Sequence, residues 1–245
     1  MLELNKIYCA DCLELMKDIE DNSIDLIITS PPYNKNWYRG KKDTSKWKWR
    51  WGWADIKYSN YDDNMQEEEY KQRQIKILNE CYRILSPMGS IFYNHKIRRT
   101  NNQASNPIER ILQSNCKFYQ QIVWDRWWWC DHNVWYLDPN TEYIYRLTKD
   151  VPKVFKKDCR FQTEIWRFNP DINNSHPAPF PEEFVQSVIQ LTTEKWDIVF
   201  DPFMWSWTTA VWCKQMHRNF IGADISQEYV DMANKRLETT TVSLF

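Results

Sequence analysis

The chain has 245 residues, a formal charge of −1 and 42% apolar residues, which suits one domain of ordinary size with a buried core. No run approaches the ~18–20 consecutive apolar residues of a membrane span, and the N-terminal MLELNKIYCADC carries no basic-then-apolar leader, so membrane insertion and secretion are not expected and a cytoplasmic location is. One count is out of line: there are 4 glycines against 15 tryptophans, where the usual ~7% would give about 17 glycines in a chain this long.

In chain order, a strand at 6–9 leads into a helical pattern at 11–20. Segment 24–29, Ile-Asp-Leu-Ile-Ile-Thr, is a short apolar run ended by Ser30-Pro31-Pro32-Tyr33, the mark of a buried strand entering a rigid turn. Residues 34–60 break the rhythm, because Lys35, Arg39, Lys41, Lys42, Lys46, Lys48, Arg50 and Lys57 stand against only Asp43 and Asp55, a net +6. A solvated lysine-rich loop and a phosphate-gripping insertion both fit that composition, and its place directly after the turn favours the second. A helix over 66–85 then presents Tyr70, Ile77, Leu78, Cys81, Tyr82 and Leu85 on one side. Strands are expected at 90–93, 118–124, 141–147, 197–201 and 219–223, and helices at 105–114, 181–191, 206–217 and 226–238. This alternation argues for an α/β fold with a doubly wound, mostly parallel sheet covered on both faces. Segment 141–147 follows 118–124 too closely for a helical crossover, so the two are expected as an antiparallel hairpin at one sheet edge. No internal repeat and no disordered tail is evident.

Seven cysteines, at 9, 12, 81, 116, 130, 159 and 213, are an odd number in a chain that needs no staples, which suits reduced thiols. Cys9-x-x-Cys12 and Cys130-x-His132 raise zinc or a redox pair. With Cys9 in a strand, Cys12 on the next helix and no second pair at zinc spacing, structural cysteine is preferred and no metal is expected.

Two segments carry the chemistry. Thr29-Ser30-Pro31-Pro32-Tyr33, at a strand end, resembles the catalytic tetrapeptide of DNA amino-methyltransferases, and Asp201-Pro202-Phe203-Met204-x-Ser206-x-Thr208-Thr209 resembles their S-adenosylmethionine loop. The catalytic motif comes first, which is the order of the permuted beta group. Ala10-Asp11-Cys12-Leu13-Glu14, Phe92-Tyr93-Asn94-His95-Lys96, His176-Pro177-Ala178-Pro179-Phe180-Pro181 and Ile221-Gly222-Ala223-Asp224 are similar to that group's other landmarks, in its order, over residues 3–238.

The resemblance implies a Rossmann-like S-adenosylmethionine-dependent methyltransferase with a seven-stranded, mostly parallel sheet and an antiparallel edge hairpin. The chain is then one methyltransferase domain over 1–245, with a catalytic half at 1–150, a cofactor half at 170–240 and the basic insertion 34–60 facing DNA. The implied reaction moves a methyl group from S-adenosylmethionine to the exocyclic amine of a flipped base in double-stranded DNA. Serine before Pro-Pro-Tyr resembles the cytosine-N4 members, and adenine-N6 is the alternative. A methyltransferase acting on RNA or on a protein side-chain amide, and a silent DNA-binding relative, are the rival classes. A cognate restriction endonuclease and an oligomer are possible partners.

The tetrapeptide also has a physical case of its own. An exocyclic amine is a poor nucleophile because its lone pair is delocalised into the ring. The Ser30 oxygen and a carbonyl of Pro31 or Pro32 can accept its two hydrogens and favour the pyramidal nitrogen that attacks a methyl sulfonium in line. The prolines fix φ and hold that carbonyl in advance, and Tyr33 can stack on an extruded base. On the cofactor side, Asp201, Pro202, Phe203, Trp205, Ser206, Trp207 and Thr208 form a strand-to-helix loop, whose free N–H groups face a ligand. Asp224 at the next strand end is placed to accept ribose hydroxyls, and the resemblance puts Asp11 near the adenine amine, with His176 and Pro177 also on the cofactor. DNA contacts are expected from Lys41, Lys42, Lys46, Lys48, Arg50, Lys96, Arg98 and Arg99, with recognition from 34–60 and the region near 127–139.

The cofactor loop departs from the family's rule. It should read Asp-Pro-Phe-x-Gly-x-Gly-Thr, and Trp205 and Trp207 stand where the glycines fall. An L-residue forced into the left-handed region costs about 1–2 kcal/mol, and an indole in the ligand's space would block the pocket. Trp196 sits at another glycine-like turn, and Trp127-Trp128-Trp129 replaces what resembles a glycine run. Some bacterial codes read UGA as glycine and others as tryptophan. Translation with the wrong table would convert only UGA-encoded glycines and leave Gly40, Gly52, Gly89 and Gly222 intact, with Trp124 and Trp166 true tryptophans. Enzyme activity is expected on condition that positions 205 and 207 are glycine in the native protein. Taken at face value, Lys46-Trp47-Lys48-Trp49-Arg50-Trp51-Gly52-Trp53 would instead be a cationic aromatic stripe for a membrane interface or single-stranded bases.

Overall fold

The computed structural model describes residues 2–34, 65–100, 103–126, 137, 140–156, 163–168, 181–204 and 207–241. The first third runs β1 (Lys6–Cys9), α1 (Cys12–Met16), β2 (Ile24–Thr29), α2 (Glu67–Ile84) and β3 (Leu85–His95). The middle holds β4 (Arg98–Thr100), β5 (Gln103–Ser105), α3 (Ile108–Ile111), β6 (Lys117–Asp125), β7 (Thr141–Thr148) and β8 (Ile165–Arg167). The last part is α4 (Glu182–Thr192), β9 (Ile198–Asp201), α5 (Thr208–Gln215), β10 (Asn219–Asp224) and α6 (Gln227–Thr239).

The main sheet has the order β1-β10-β9-β2-β3-β7-β6-β8. All neighbouring pairs are parallel except β3/β7 and β6/β7, so the expected hairpin of 118–124 and 141–147 is present. The sheet carries eight strands rather than seven. Ile165–Arg167 pairs in parallel outside β6, with Val123 opposite Ile165, and the hairpin therefore lies one strand in from the edge. Three residues have no readable period, which is why the sequence pattern misses this strand. Helix 105–114 is likewise shorter than expected, because Gln103–Ser105 is spent on a two-stranded ribbon with Arg98–Thr100.

Strand alternation builds the core. Leu26 and Ile28 of β2 face the cluster that takes Phe184, Val185 and Val188 from α4 and Ala210 and Val211 from α5. Ile24 and Ile27 face the other cluster, with Leu15, Met16, Ile77, Leu78 and Cys81 from α1 and α2. Apolar side chains on both faces of one strand require cover on both sides, which the helices supply. Cys12, Cys81, Cys116 and Cys213 are buried and unpaired with any thiol, and Cys9 is exposed. Cys130, His132 and Cys159 lie outside the described residues. Among the described residues no helix is long and apolar enough to cross a membrane, and no group of three His, Cys, Asp or Glu side chains could hold a metal ion.

The sheet order places the site. From β2 the chain moves outward through α2 to β3, and from β9 it moves the opposite way through α5 to β10. β2 and β9 are direct neighbours, with Leu26 opposite Val199 and Ile27 opposite Phe200. Their carboxyl ends therefore flank the point where the winding reverses, which is where open α/β sheets bind ligands.

Candidate active site

Thr29 closes β2, and the two prolines that follow are buried. Their fixed φ carries the chain directly away from the strand end. The Pro32 carbonyl is held from below by α2, since the Tyr70 hydroxyl donates to it at 2.8 Å. The same hydroxyl lies 2.9 Å from His95 Nε2, which accepts from Arg110 Nη2 at 3.0 Å. An arginine can only donate, so Nε2 is the acceptor nitrogen and Nδ1–H donates to the Lys96 carbonyl at 2.7 Å. His95 is thus a fully buried, neutral strut under the turn.

Tyr33 turns its ring against His95, with centroids 4.6 Å apart, and Lys96 Nζ stands 5.8 Å from the ring centroid. Its hydroxyl lies 3.2 Å from Ser30 Oγ, donates to Glu142 Oε2 at 3.2 Å and accepts from Asn94 Nδ2 at 3.2 Å. Asn94 also donates to Glu142 Oε2 at 3.3 Å, and Arg126 Nη1 holds Glu142 Oε1 at 3.1 Å. Burial and then the negative charge of Glu142 raise the Tyr33 phenol well above its ordinary pKa. Glu142, Asn94, Tyr70 and Arg126 were not assigned to the site from sequence. The available signal was Glu142 itself, the one acid in the run 141–147.

The neighbouring strand ends carry three carboxylates. Asp201 is 2% exposed and accepts from the Phe203 backbone N–H at 3.0 Å and from Thr209 Oγ1 at 2.8 Å. Burial dominates and pushes its carboxyl up to about 7. Asp224 accepts the Ser226 N–H at 2.8 Å, and burial raises it to about 6. Asp11 caps α1 through the Leu13 N–H at 2.9 Å and pairs with Arg73 Nη2 at 2.5 Å. Cys9 lies opposite Asp224, and Gly222 opposite Asp201, so all three acids stand along one sheet edge. Pro202 and Thr208 are buried and Phe203 is half-buried.

Trp207 is the discordant member of this group. It precedes α5 in the left-handed region, at φ 49° and ψ 6°. Its indole is 4% exposed and joins the buried cluster of Met204, Val211 and Phe184, and its N–H has no partner. The backbone and carboxylates of this edge fit an adenosyl cofactor, and the Trp207 indole packs into the core beneath them. Trp205, Ser206, His176 and Pro177 lie outside the described residues, as do Lys41, Lys42, Lys46, Lys48, Arg50 and Trp127-Trp128-Trp129. Of the remaining expected DNA contacts, Lys96 is half-buried and Arg99 is exposed. Arg98 is not available to a phosphate: it is 6% exposed, pairs with Glu67 at 2.5 Å and lies 4.6 Å from the Tyr70 ring centroid. A basic residue after a strand end can face either way, and here the aromatic ring and the acid draw it inward.

Fold and strand-end residues define a doubly wound α/β enzyme with two loops meeting at its switch point. A family model described as DNA methylase matches residues 24–235, and the chain belongs to that family of DNA methyltransferases. It is 32% identical over 266 residues to the type II methyltransferase M.BglII of Bacillus subtilis, an alignment covering 94% of this chain and 68% of that one. The fold is similar to that of the cytosine-N4-specific PvuII DNA methyltransferase, at a TM-score of 0.71 and 17% identity over 97% of this chain and 87% of the other. It is also similar to the M1.HpyAVI–SAM complex, at a TM-score of 0.64 and 22% identity over 95% and 98% of the two chains.

Proposed function

We propose that the protein methylates an exocyclic base amine within a specific sequence of double-stranded DNA, with the whole chain acting as one catalytic unit. Cytosine N4 is the target, on the strength of Ser30, and adenine N6 is the second reading. The observation that carries the proposal is the meeting of the Ser30-Pro31-Pro32-Tyr33 turn and the Asp201 loop at adjacent strand ends. S-adenosylmethionine, when bound, supplies a methyl group already activated as a sulfonium. Asp224 and Asp11 are the residues to hold its adenosine, beside the loop from Asp201 to Thr208, with His176 and Pro177 assigned there by resemblance. Ser30 Oγ takes one hydrogen of the target amine. Because the Pro32 carbonyl already accepts from Tyr70, the Pro31 carbonyl is the better choice for the second. Held between these two acceptors, the amine nitrogen would be directed at that methyl group, and the proton the methylated amine must lose would pass to water. The 34–60 insertion and the region near 127–139 supply phosphate and base contacts, in the cytoplasm and alongside a cognate endonuclease. Sequencing of DNA from an expressing host should find one modified base in one context, and unmodified DNA would overturn the proposal.

This reading requires glycine at 205 and 207 in the native protein, and backbone geometry supports it at 207. Among the described residues, the non-glycine positions with positive φ are Asn5, Asn22, Asn34, His217, Trp196 and Trp207. Asparagine and histidine are enriched there, whereas a bulky residue is an outlier. Trp124 and Trp166 behave differently. Both lie in strands, and their indoles donate to the Phe168 and Thr163 carbonyls at 3.1 and 2.9 Å, as buried tryptophans normally do. Among the described tryptophans, Trp196 and Trp207 occupy backbone that favours glycine, Trp124 and Trp166 do not, and Trp212 lies within α5. UGG codons at 205 and 207 would overturn the reassignment, and glycine-bearing peptides from the host protein would establish it.

A further inference from the structure

Glu142 faces the turn from two strands away, and nothing above gives it a part in the reaction. It is 7% exposed, sits opposite Trp124 in the β6–β7 pairing and spends its two oxygens differently. Oε1 takes Arg126, and Oε2 takes Tyr33 and Asn94. A carboxylate held only to neutralise Arg126 has no need of the second set.

The direction of the hydrogen bonds follows from the inventory of donors. An ionised carboxylate only accepts, and the Asn94 amide must point Nδ2 at it, since the reverse orientation would oppose two oxygens. Tyr33 Oη therefore receives from Asn94 and gives its own proton to Glu142. Toward Ser30 it can offer only a lone pair. At 3.2 Å, the Ser30 hydroxyl must then be the donor, and its proton is committed to Tyr33.

We infer that Glu142 is a positioning residue that fixes the direction of the chain Ser30 to Tyr33 to Glu142 and so makes Ser30 Oγ an obligate acceptor. The inference rests on the proposed amine methylation and deepens it. An oxygen with its proton committed can receive an N–H but cannot donate to a carbonyl, so the turn accepts the amino group of cytosine or adenine and rejects a base that presents a carbonyl at the same place. Proton direction thereby becomes a selectivity device, set from a strand outside the motif.

The test uses full-length protein carrying glycine at 205 and 207, with Glu142→Gln, Glu142→Asp, Tyr33→Phe and the Glu142→Gln/Tyr33→Phe pair. Label transfer from tritiated S-adenosylmethionine to unmethylated double-stranded genomic DNA gives kcat and KM. Tyrosine labelled at Cζ reports the Tyr33 phenol by NMR without any need for turnover. Glu142→Gln should lower kcat about 10- to 100-fold, as outer partners of a reacting group do. Cofactor affinity should hold, Tm should fall because Arg126 loses its carboxylate, Glu142→Asp should recover part of the rate, and the double variant should be no slower than the slower single one. The Tyr33 signal should move in Glu142→Gln. A Tyr33 signal that stays in place, unchanged kcat in Glu142→Gln, or losses that multiply in the pair would overturn the inference. A parent that transfers no label while its Tyr33 signal still responds to Glu142→Gln would instead overturn the methylation reading, and the proton chain would stand.

Discussion

The Tyr70 hydroxyl, in the first turn of α2, donates to the Pro32 carbonyl of the catalytic turn at 2.8 Å, a contact across 38 residues of chain. It ties the basic insertion's two anchor points together, one on each side of residues 34–60. A buried phenol must spend its hydrogen-bonding groups inside the protein, and here it spends them on the backbone that presents the target amine with an acceptor.

Tyr70→Phe keeps the ring under the Arg98 guanidinium and removes only the hydroxyl. The Pro32 carbonyl is then buried without that donor, and the expected loss is about 1–3 kcal/mol of stability. A fall in kcat should accompany it with little change in cofactor affinity, because the turn is loosened and the Asp201 loop is untouched. Urea denaturation and steady-state kinetics on the same sample check both parts. Equal losses of cofactor affinity and kcat would count against the separation of the two loops.

Trp196 and Trp124 should respond to glycine with opposite signs. Trp196 is 68% exposed at φ 74°, so Trp196→Gly sheds a left-handed penalty of about 1–2 kcal/mol and gives back about 0.5–1 kcal/mol in backbone entropy. A small gain in stability is expected. Trp124 is 7% exposed, stacks on Phe168 at 5.0 Å and donates to its carbonyl, so Trp124→Gly should cost at least the ~3–5 kcal/mol of a large-to-small core change. Differential scanning calorimetry would read both. A loss at Trp196 as large as that at Trp124 would count against the reassignment of codons.

Much of this site is legible in the sequence wherever one residue type has one physical reason to be present. The 24–29 run is apolar on both faces, and Pro-Pro-Tyr ends it. Trp196 and Trp207 stand where a turn needs positive φ, so the conflict is visible before any coordinates. What the sequence hides are long-range choices. Tyr70 reads as core because its ring is core, and only the docking of α2 under the turn brings its hydroxyl to Pro32. Glu142 reads as a strand residue until β7 pairs with β6 and β3. Arg98 reads as a phosphate contact because its acid, Glu67, is 31 positions away.

The buried carboxyl of Asp201 and the half-buried one of Asp224 set the pH dependence of the cofactor-free protein. Asp201 is raised to about 7 and Asp224 to about 6, burial being the largest cause for each, against about 3.9 for a free aspartate. Between those values the folded state binds protons that the unfolded chain has released, so stability falls as pH rises. Their contribution is fully present below about pH 4 and lost as pH climbs through 6 and 7. Asp201→Asn removes one of the two groups, so its stability should decline less steeply over that window than the parent's. Tm measured from pH 4.5 to 8 checks the slope, and a parent that becomes steadily more stable across the window would contradict the burial of these acids.

Arg98 and Arg99 are adjacent in sequence and should separate cleanly in experiment. Arg99 is exposed, so Arg99→Ala should weaken duplex binding similarly across sequences and lower the magnitude of the log-affinity against log-salt slope by about 1. Arg98 lies under the surface, on Glu67 and over Tyr70, and its removal leaves a carboxylate without its cation and a phenol ring without its cover. Arg98→Ala should therefore cost about 3 kcal/mol of stability while leaving the salt slope of the folded protein unchanged. Fluorescence anisotropy on a labelled duplex at several salt concentrations, paired with urea melts, distinguishes the two. A salt slope that falls in Arg98→Ala at unchanged stability would mean that the ion pair opens when DNA binds, and that this arginine trades Glu67 for a phosphate.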